Sequence, residues 1–263
     1  MNRFERTAID AAHRGGEVLR RHFRRRQALH VESKGLHDFV TEVDREAEGA
    51  VLQCIRDVFP DHEIMAEESA PEVLHTGRHR WVVDPLDGTT NFIHGLPTFS
   101  VSVAVEDDRG LLAGAIHDPH NGETFHGSRG EGTKLNGEAV RCGDPEEPGR
   151  ALVATGFPFR ELSRLAPYMS ALETFIRTSA GIRRAGSAAL DLAYTACGRY
   201  DGFWEVGLSR WDIAAGVLLV REAGGKVTDV TGGDAMLQSG DIVAAGPRFH
   251  ALMLETTRAA FAQ

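Results

Sequence analysis

"WVVDPLDGTTNF", residues 81–92, ends an apolar run and then sets two carboxylates, Asp84 and Asp87, three residues apart around a proline. Like charges this close repel, and one would ordinarily take up a proton. A cation between them removes the conflict. The residues just beyond Asp87 suit an anion. Gly88 lets the backbone approach a ligand closely. A short helix expected to open at Gly88-Thr89-Thr90 offers backbone N–H groups without internal partners. Phosphate beside carboxylates would be repelled unless a cation bridged them. Mg²⁺ is a hard ion that joins carboxylates to phosphate oxygens. The Leu86 carbonyl, between the two acids, offers one more oxygen.

Two further acidic sites have the same local setting. Glu67-Glu68 closes a short strand in "HEIMAEES", and Asp212 opens an apolar helix in "RWDIAAG". Singly, each has an ordinary explanation: a solvated loop for the glutamates, a helix N-cap for Asp212, a turn for Asp84-Pro85. Jointly, three acidic groups at strand ends and helix starts point to one shared metal site. A two-metal centre holds attacking water and leaving oxygen in line across roughly 3.5–4 Å.

The chain around these motifs has 263 residues, of which 42% are hydrophobic and 25% charged, as in an ordinary globular protein. No apolar run approaches the roughly 18 residues needed to cross a membrane. The N-terminal segment lacks a signal-peptide core and carries Glu5, Asp10 and Glu17, unlike a transit peptide. Cys54, Cys142 and Cys197 are widely spaced and odd in number, which gives neither a disulfide framework nor a zinc spacing. The expectation is a reduced, cytoplasmic protein with no membrane partner. A net charge of −9 argues against nucleic acid as a partner. The one strongly basic stretch, "LRRHFRRRQ" at 19–27, reads as the solvated C-terminal end of the first helix.

Periodicity predicts helices over 3–24 and 41–58 and strands at 62–69 and 80–84, the second ended by Pro85. An antiparallel meander comes next, over 98–137, punctuated by Asp-Asp-Arg-Gly, Asp-Pro-His-Asn-Gly and Asn136-Gly137. "GDPEEPG" at 143–149 reads as a linker. Beyond it strands and helices alternate: a strand in "ALVATG", a helix over 161–178, one from Ser187 to Gly198, a strand in "DGFWEV", an apolar helix in "DIAAGVLLVREAGG", strands in "KVTDV" and "IVAAG", and a last helix from about 247 to 262. The reading is an α+β domain over 1–142, carrying most of the candidate metal ligands, and an α/β domain over 150–263 that supplies Asp212 and substrate contacts.

"WVVDPLDGTTNFIHGLP", with "MAEES" and "SRWDIAAG", resembles the inositol monophosphatase family, in particular its bacterial inositol-1-monophosphatases. "KGLHDFVTEVD", "LVATGFPF" and "RRAGSAALDLAYTACGRYDGFWEVGLSRWD" fall in the family's order, so the resemblance covers nearly the whole chain. It implies a layered αβαβα sandwich and Mg²⁺-dependent hydrolysis of a phosphate monoester, with two or three ions and no phosphoenzyme. It implies inhibition by Li⁺ and a homodimer. Glu67, Asp84, the Leu86 carbonyl, Asp87 and Asp212 match metal ligands. Glu67 also helps to activate water, and Thr89, with Asp44, orients it. Gly88 and Thr89 match the phosphate-binding turn. Arg183, Gly186, Ala188 and Glu205 fall where the family contacts the polyol side of its substrate, as do Asp87 and Asp212 for the phosphate. Lys34 and Gly35 match a mobile loop linked to a weaker metal site. Ala66 stands where many relatives have glycine.

The substrate implied is a small phosphorylated polyol, foremost inositol 1-phosphate. Histidinol phosphate, fructose 1,6-bisphosphate and adenosine bisphosphate are alternatives with the same chemistry. A haloacid-dehalogenase reading needs Asp-x-Asp-Gly-Thr, whereas this chain has Asp-x-x-Asp-Gly-Thr. A non-catalytic binding protein on the same scaffold is the alternative of another class. His37, His94, His117 and His120 are not assigned to metal, because an oxygen-rich site suits Mg²⁺.

Overall fold

The apolar helix expected in "DIAAGVLLVREAGG" runs over Arg210–Glu222, and every residue from 213 to 220 is buried. A helix apolar on all sides has to be covered on all sides. Here it forms the middle layer of the molecule. The structure is a computed structural model that describes residues 1–23, 31–35, 38–69, 78–159 and 161–261. Residues 24–27 of the basic stretch, and His37, lie outside the described residues.

The elements are α1 (Arg3–Phe23), β1 (Val31–Gly35), β2 (Asp38–Thr41), α2 (Glu42–Val58), β3 (Glu63–Ala66), β4 (His79–Asp87) and α3 (Thr89–His94). The meander comprises β5 (Ser100–Asp107), β6 (Gly110–Asp118), β7 (Glu123–Ser128), β8 (Gly132–Leu135) and β9 (Glu138–Val140). Then come β10 (Leu152–Thr155), α4 (Leu165–Thr178), β11 (Gly181–Arg183), α5 (Ala188–Ala196), β12 (Gly202–Glu205), α6 (Arg210–Glu222), β13 (Lys226–Thr228), α7 (Met236–Ser239), β14 (Ile242–Ala245) and α8 (Pro247–Phe261).

β3 to β9 form a seven-stranded sheet in sequence order, and β11-β10-β12-β14-β13 form a five-stranded sheet. α1 and α2 cover one face of the large sheet. α5 and α6 lie between the two sheets, and α4 and α8 close the far face of the small one. The outcome is the layered αβαβα sandwich. Three apolar cores result: one beneath α1 and α2, one around α5 and α6, and one beneath α4 and α8. Asn136 and Gly137 both take positive φ, the geometry a two-residue hairpin between β8 and β9 requires. Among the described residues no helix is long and apolar enough to cross a membrane. Cys54, Cys142 and Cys197 are free thiols.

One sequence expectation is corrected. Pro85 does not end its strand: β4 continues to Asp87 through an irregular register. Asp84 lies opposite Ser102 and Asp87 opposite Ser100, so three steps on β4 match two on β5. A bulge tolerates proline because its N–H is not needed in the ladder.

His250 on α8 is fully buried, with Nε2 3.0 Å from Thr228 Oγ1. Burial, helped by Lys226, lowers its pKa from 6.5 to about 4. Between those values the unfolded chain binds a proton that the folded one refuses. Stability should therefore fall as pH drops from 6.5 to 4, by about 1 kcal/mol per pH unit from this residue. The difference in urea midpoint between wild type and His250→Gln should follow that slope across the range. An unchanged slope in the variant would exclude His250 as the cause.

Candidate active site

The bulge in β4 decides the site. Side chains three apart on a regular strand point to opposite faces. With one extra residue inserted, Asp84 and Asp87 both align with the Ser100/Ser102 face of β5. That face looks onto the middle helices: Ser102 Oγ donates to the Trp211 carbonyl, and Ser100 Oγ lies 3.4 Å from Ser187 Oγ. Asp212 arrives from α6, where it completes a capping box by accepting the Ser209 N–H at 2.7 Å. It is thus the third residue of the helix, and Ser209 is the N-cap.

Carboxylate oxygens of Asp84, Asp87 and Asp212 lie within 4.8 Å of one another. Asp84 is almost fully buried and accepts the Leu86 N–H at 2.9 Å. Burial, then Glu67, Asp87 and Asp212, hold its pKa well above the usual carboxylate range. Burial and Asp212 push Asp87 up to about 7, although its Oδ2 accepts from Ser187 Oγ at 2.5 Å and the Ala189 N–H at 2.8 Å. Positive charge placed among these carboxyls would keep them ionised. The donors are all oxygen, so the cluster could hold a hard divalent cation.

The cluster opens into a cavity of about 790 Å³ lined on the β4 side by Glu67, Asp84, Leu86, Asp87, Gly88 and Thr89. Glu67 follows β3 directly, and its N–H reaches the Val83 carbonyl at 3.3 Å. Gly88 caps α3 with φ +96°, and a Cβ there would come within 2.8 Å of the Thr98 carbonyl. Only glycine fits that turn without strain. Thr89 Oγ1 has two acceptors in reach, the Leu86 carbonyl at 3.0 Å and Asp44 Oδ1 at 3.3 Å. Asp44 stands behind Thr89, buried in the capping box of α2, where Thr41 donates to it from both N and Oγ1. Burial raises its pKa, and these hydrogen bonds oppose the rise.

On the opposite wall, Gly186, Ser187, Ala188 and Asp191 come from the start of α5, and Glu205 from the end of β12. The Glu205 carboxylate fills the space above Gly156, where a Cβ would overlap it at 2.0 Å. Asn91 Nδ2 donates to Thr98, Ala185 and Gly186 carbonyls, tying α3 to the α5 loop. Buried Glu106 on β5 accepts from Arg80 and from Arg210 at the head of α6, which anchors the helix that carries Asp212.

Arg183 is a correction. It lies outside the cavity wall at the exposed end of β11, bonded to the Ile182 carbonyl. Arg184 lines the cavity instead, its guanidinium over Phe157 and Phe159. β11 was not expected from the sequence, so the face of each arginine was not legible. Lys34 and Gly35 lie on β1, paired with β2, rather than in a loop. Ser187 was read only as a helix start, and Asp191 and Asn91 escaped the sequence reading. Helical spacing from Ala188 could have found Asp191.

The model of the inositol monophosphatase family matches residues 1–261. The chain is 45% identical over 254 residues to "Nus factor SuhB" of Pseudomonas aeruginosa, covering 95% of this chain and 93% of that one. Among solved structures, the extragenic suppressor protein suhB of Bartonella henselae superposes with a TM-score of 0.92 at 39% identity, over 96% of this chain and 97% of that one. Inositol monophosphatase of Anabaena superposes with a TM-score of 0.86 at 36% identity, over 97% and 95%. These relatives overturn one expectation. A partner set without nucleic acid does not stand beside relatives named Nus factor, a name from the transcription machinery. Net charge measures the average surface, and it does not exclude a local contact.

Proposed function

The chain belongs to the inositol monophosphatase family, and from that premise we propose that it hydrolyses a small phosphate monoester, foremost inositol 1-phosphate, with Mg²⁺. The observation that carries this reading is the convergence of Asp84, Asp87 and Asp212 beside the Gly88–Thr89 turn. Glu67, Asp84, the Leu86 carbonyl, Asp87 and Asp212 would hold the ions. Bound Mg²⁺ supplies the positive charge that acidifies water and offsets charge on the phosphoryl oxygens.

The chain's own groups do the rest. First-turn N–H groups after Gly88 bind and orient the phosphate. Thr89 has one hydroxyl hydrogen and two acceptors. It accepts a proton from the attacking water as its own hydrogen turns to Asp44, whose raised pKa suits it to receive one. Thr89 alone is too weak an acid to serve as the base. Glu67 takes part in holding that water. The water oxygen bonds to phosphorus, the ester P–O bond breaks, the leaving alkoxide takes a proton from solvent water to depart as the alcohol, and no phosphoenzyme forms. Gly186, Ala188 and Glu205 face the departing alcohol.

The test is phosphate release from inositol 1-phosphate, histidinol phosphate, fructose 1,6-bisphosphate and adenosine bisphosphate, side by side, with and without Mg²⁺. Release is expected to be Mg²⁺-dependent and fastest for inositol 1-phosphate. Silence on every monoester would remove the enzyme reading, and a trapped aspartyl-phosphate would remove direct attack by water. Li⁺ should inhibit the reaction. Full activity at high Li⁺ would count against the close assignment within the family.

A second reading rests on the names of the relatives: a part in transcription, beside hydrolysis or without it. Asp84→Asn in a strain lacking the gene separates the two. Rescue of a transcription defect by a variant that releases no phosphate would assign that role to the scaffold rather than to the chemistry.

A further inference from the structure

Asp191 is the buried ionisable group that neither the fold nor the proposed chemistry uses. It lies three residues beyond Ala188 on α5, on the same helix face, and is only 1% exposed although it forms part of the cavity wall. Its backbone is engaged: its N–H donates to the Ser187 carbonyl at 3.0 Å, and its carbonyl accepts from Thr195 Oγ1 at 2.8 Å. Its carboxyl is not, for among the described residues Oδ1 has no hydrogen-bond partner. A buried polar group left so bears its full desolvation penalty. The α5–α6 core on its other side is mostly alanine, leucine and valine, and no side chain there is within hydrogen-bond reach of Oδ1 among the described residues.

The chemistry of the gap narrows what fills it. Burial, then Glu205 and Asp87, raise the Asp191 pKa well above the usual carboxylate range, with Arg184 opposing. A carboxyl oxygen without a partner accepts from a hydroxyl, whereas an aryl ring has no donor to offer it. Asp191 is not among the oxygens that cluster with Asp212, so it is no part of the cation cage.

We propose that Asp191 is a specificity-determining residue, which with Glu205 takes up neighbouring hydroxyls of the leaving polyol. This rests on the phosphatase reading and goes further by giving the alcohol side a second reader. It favours hydroxyl-rich alcohols over aryl ones.

Kinetics of wild type, Asp191→Leu and Asp191→Asn on inositol 1-phosphate and p-nitrophenyl phosphate test it. Leucine has the same heavy-atom branching and removes the unsatisfied group. It should raise KM for inositol 1-phosphate about tenfold while the aryl ester changes less than about twofold. Asparagine keeps a donor and an acceptor and should stay within about threefold of wild type on both. An equal loss on both substrates in Asp191→Leu, or no change on inositol 1-phosphate, would overturn the proposal. Wild-type KM for monodeoxy inositol 1-phosphates gives the same answer without a variant: at least one deletion should raise KM, and indifference to all of them overturns it. Failure here leaves wild-type phosphate release intact, whereas failure of the phosphatase reading shows as a silent wild type.

Discussion

Asp84→Asn should lower phosphate release at least about a thousandfold, roughly 4 kcal/mol of transition-state stabilisation, while making the metal-free protein more stable. The two effects share one cause. Asp84 is buried among Glu67, Asp87 and Asp212, and its charge has a use only when a cation stands among them. Asparagine keeps the size of the side chain and an oxygen for the Leu86 N–H. It removes one negative charge from the cluster. In the metal-free wild type, the raised Asp84 and Asp87 carboxyls hold protons that the unfolded chain has already released. Stability should therefore fall as pH rises from the ordinary carboxylate range toward 7, where Asp87 titrates. Mg²⁺ should reverse that fall in wild type and do less in the variant. Thermal unfolding with and without Mg²⁺ at pH 5 and pH 7 reads this directly. A metal-free variant less stable than wild type at pH 7 would refute the electrostatic account, whatever its activity.

Thr89→Ala should cut kcat by about 10²-fold or more with KM nearly unchanged, and Thr89→Ser should recover most of it. The hydroxyl lines the cavity with Asp44 Oδ1 at 3.3 Å and the Leu86 carbonyl at 3.0 Å. Serine can reproduce both contacts, and alanine neither. The variant should leave the fold in place, because α3 draws its cap from Gly88 and not from the Thr89 side chain. A serine variant as slow as alanine would show that the methyl group, and so packing, matters more than the relay.

The acidic motifs were legible because each carries a local signature. Asp84 and Asp87 flank a proline before glycine, Glu67 ends a strand, and Asp212 opens a helix. The apolar run of α6 likewise announced an element buried on every side. The Asn136-Gly137 turn and the Ser187 cap were readable for the same reason: one or two residues fix their geometry. Less was legible wherever the answer depended on a partner far along the chain. Pro85 reads as a strand end, since the sequence does not display the β5 ladder that absorbs it as a bulge. Arg183 and Arg184 cannot be told apart before β11 is known to exist.

The sequence by itself determined the succession of helices and strands, the residues with metal-binding chemistry and the order in which they occur, while the layered sandwich was only an implication of the family resemblance. Local propensity, periodicity and turn chemistry act over a few residues, so one chain suffices to read them. Tertiary structure alone decided that Asp84 and Asp87 share a face. An inserted residue in β4 can be counted only against Ser100 and Ser102 on the neighbouring strand. It alone decided that Asp191 stays buried and unpartnered in the cavity wall, because a helix face becomes an inside only when two sheets close over it.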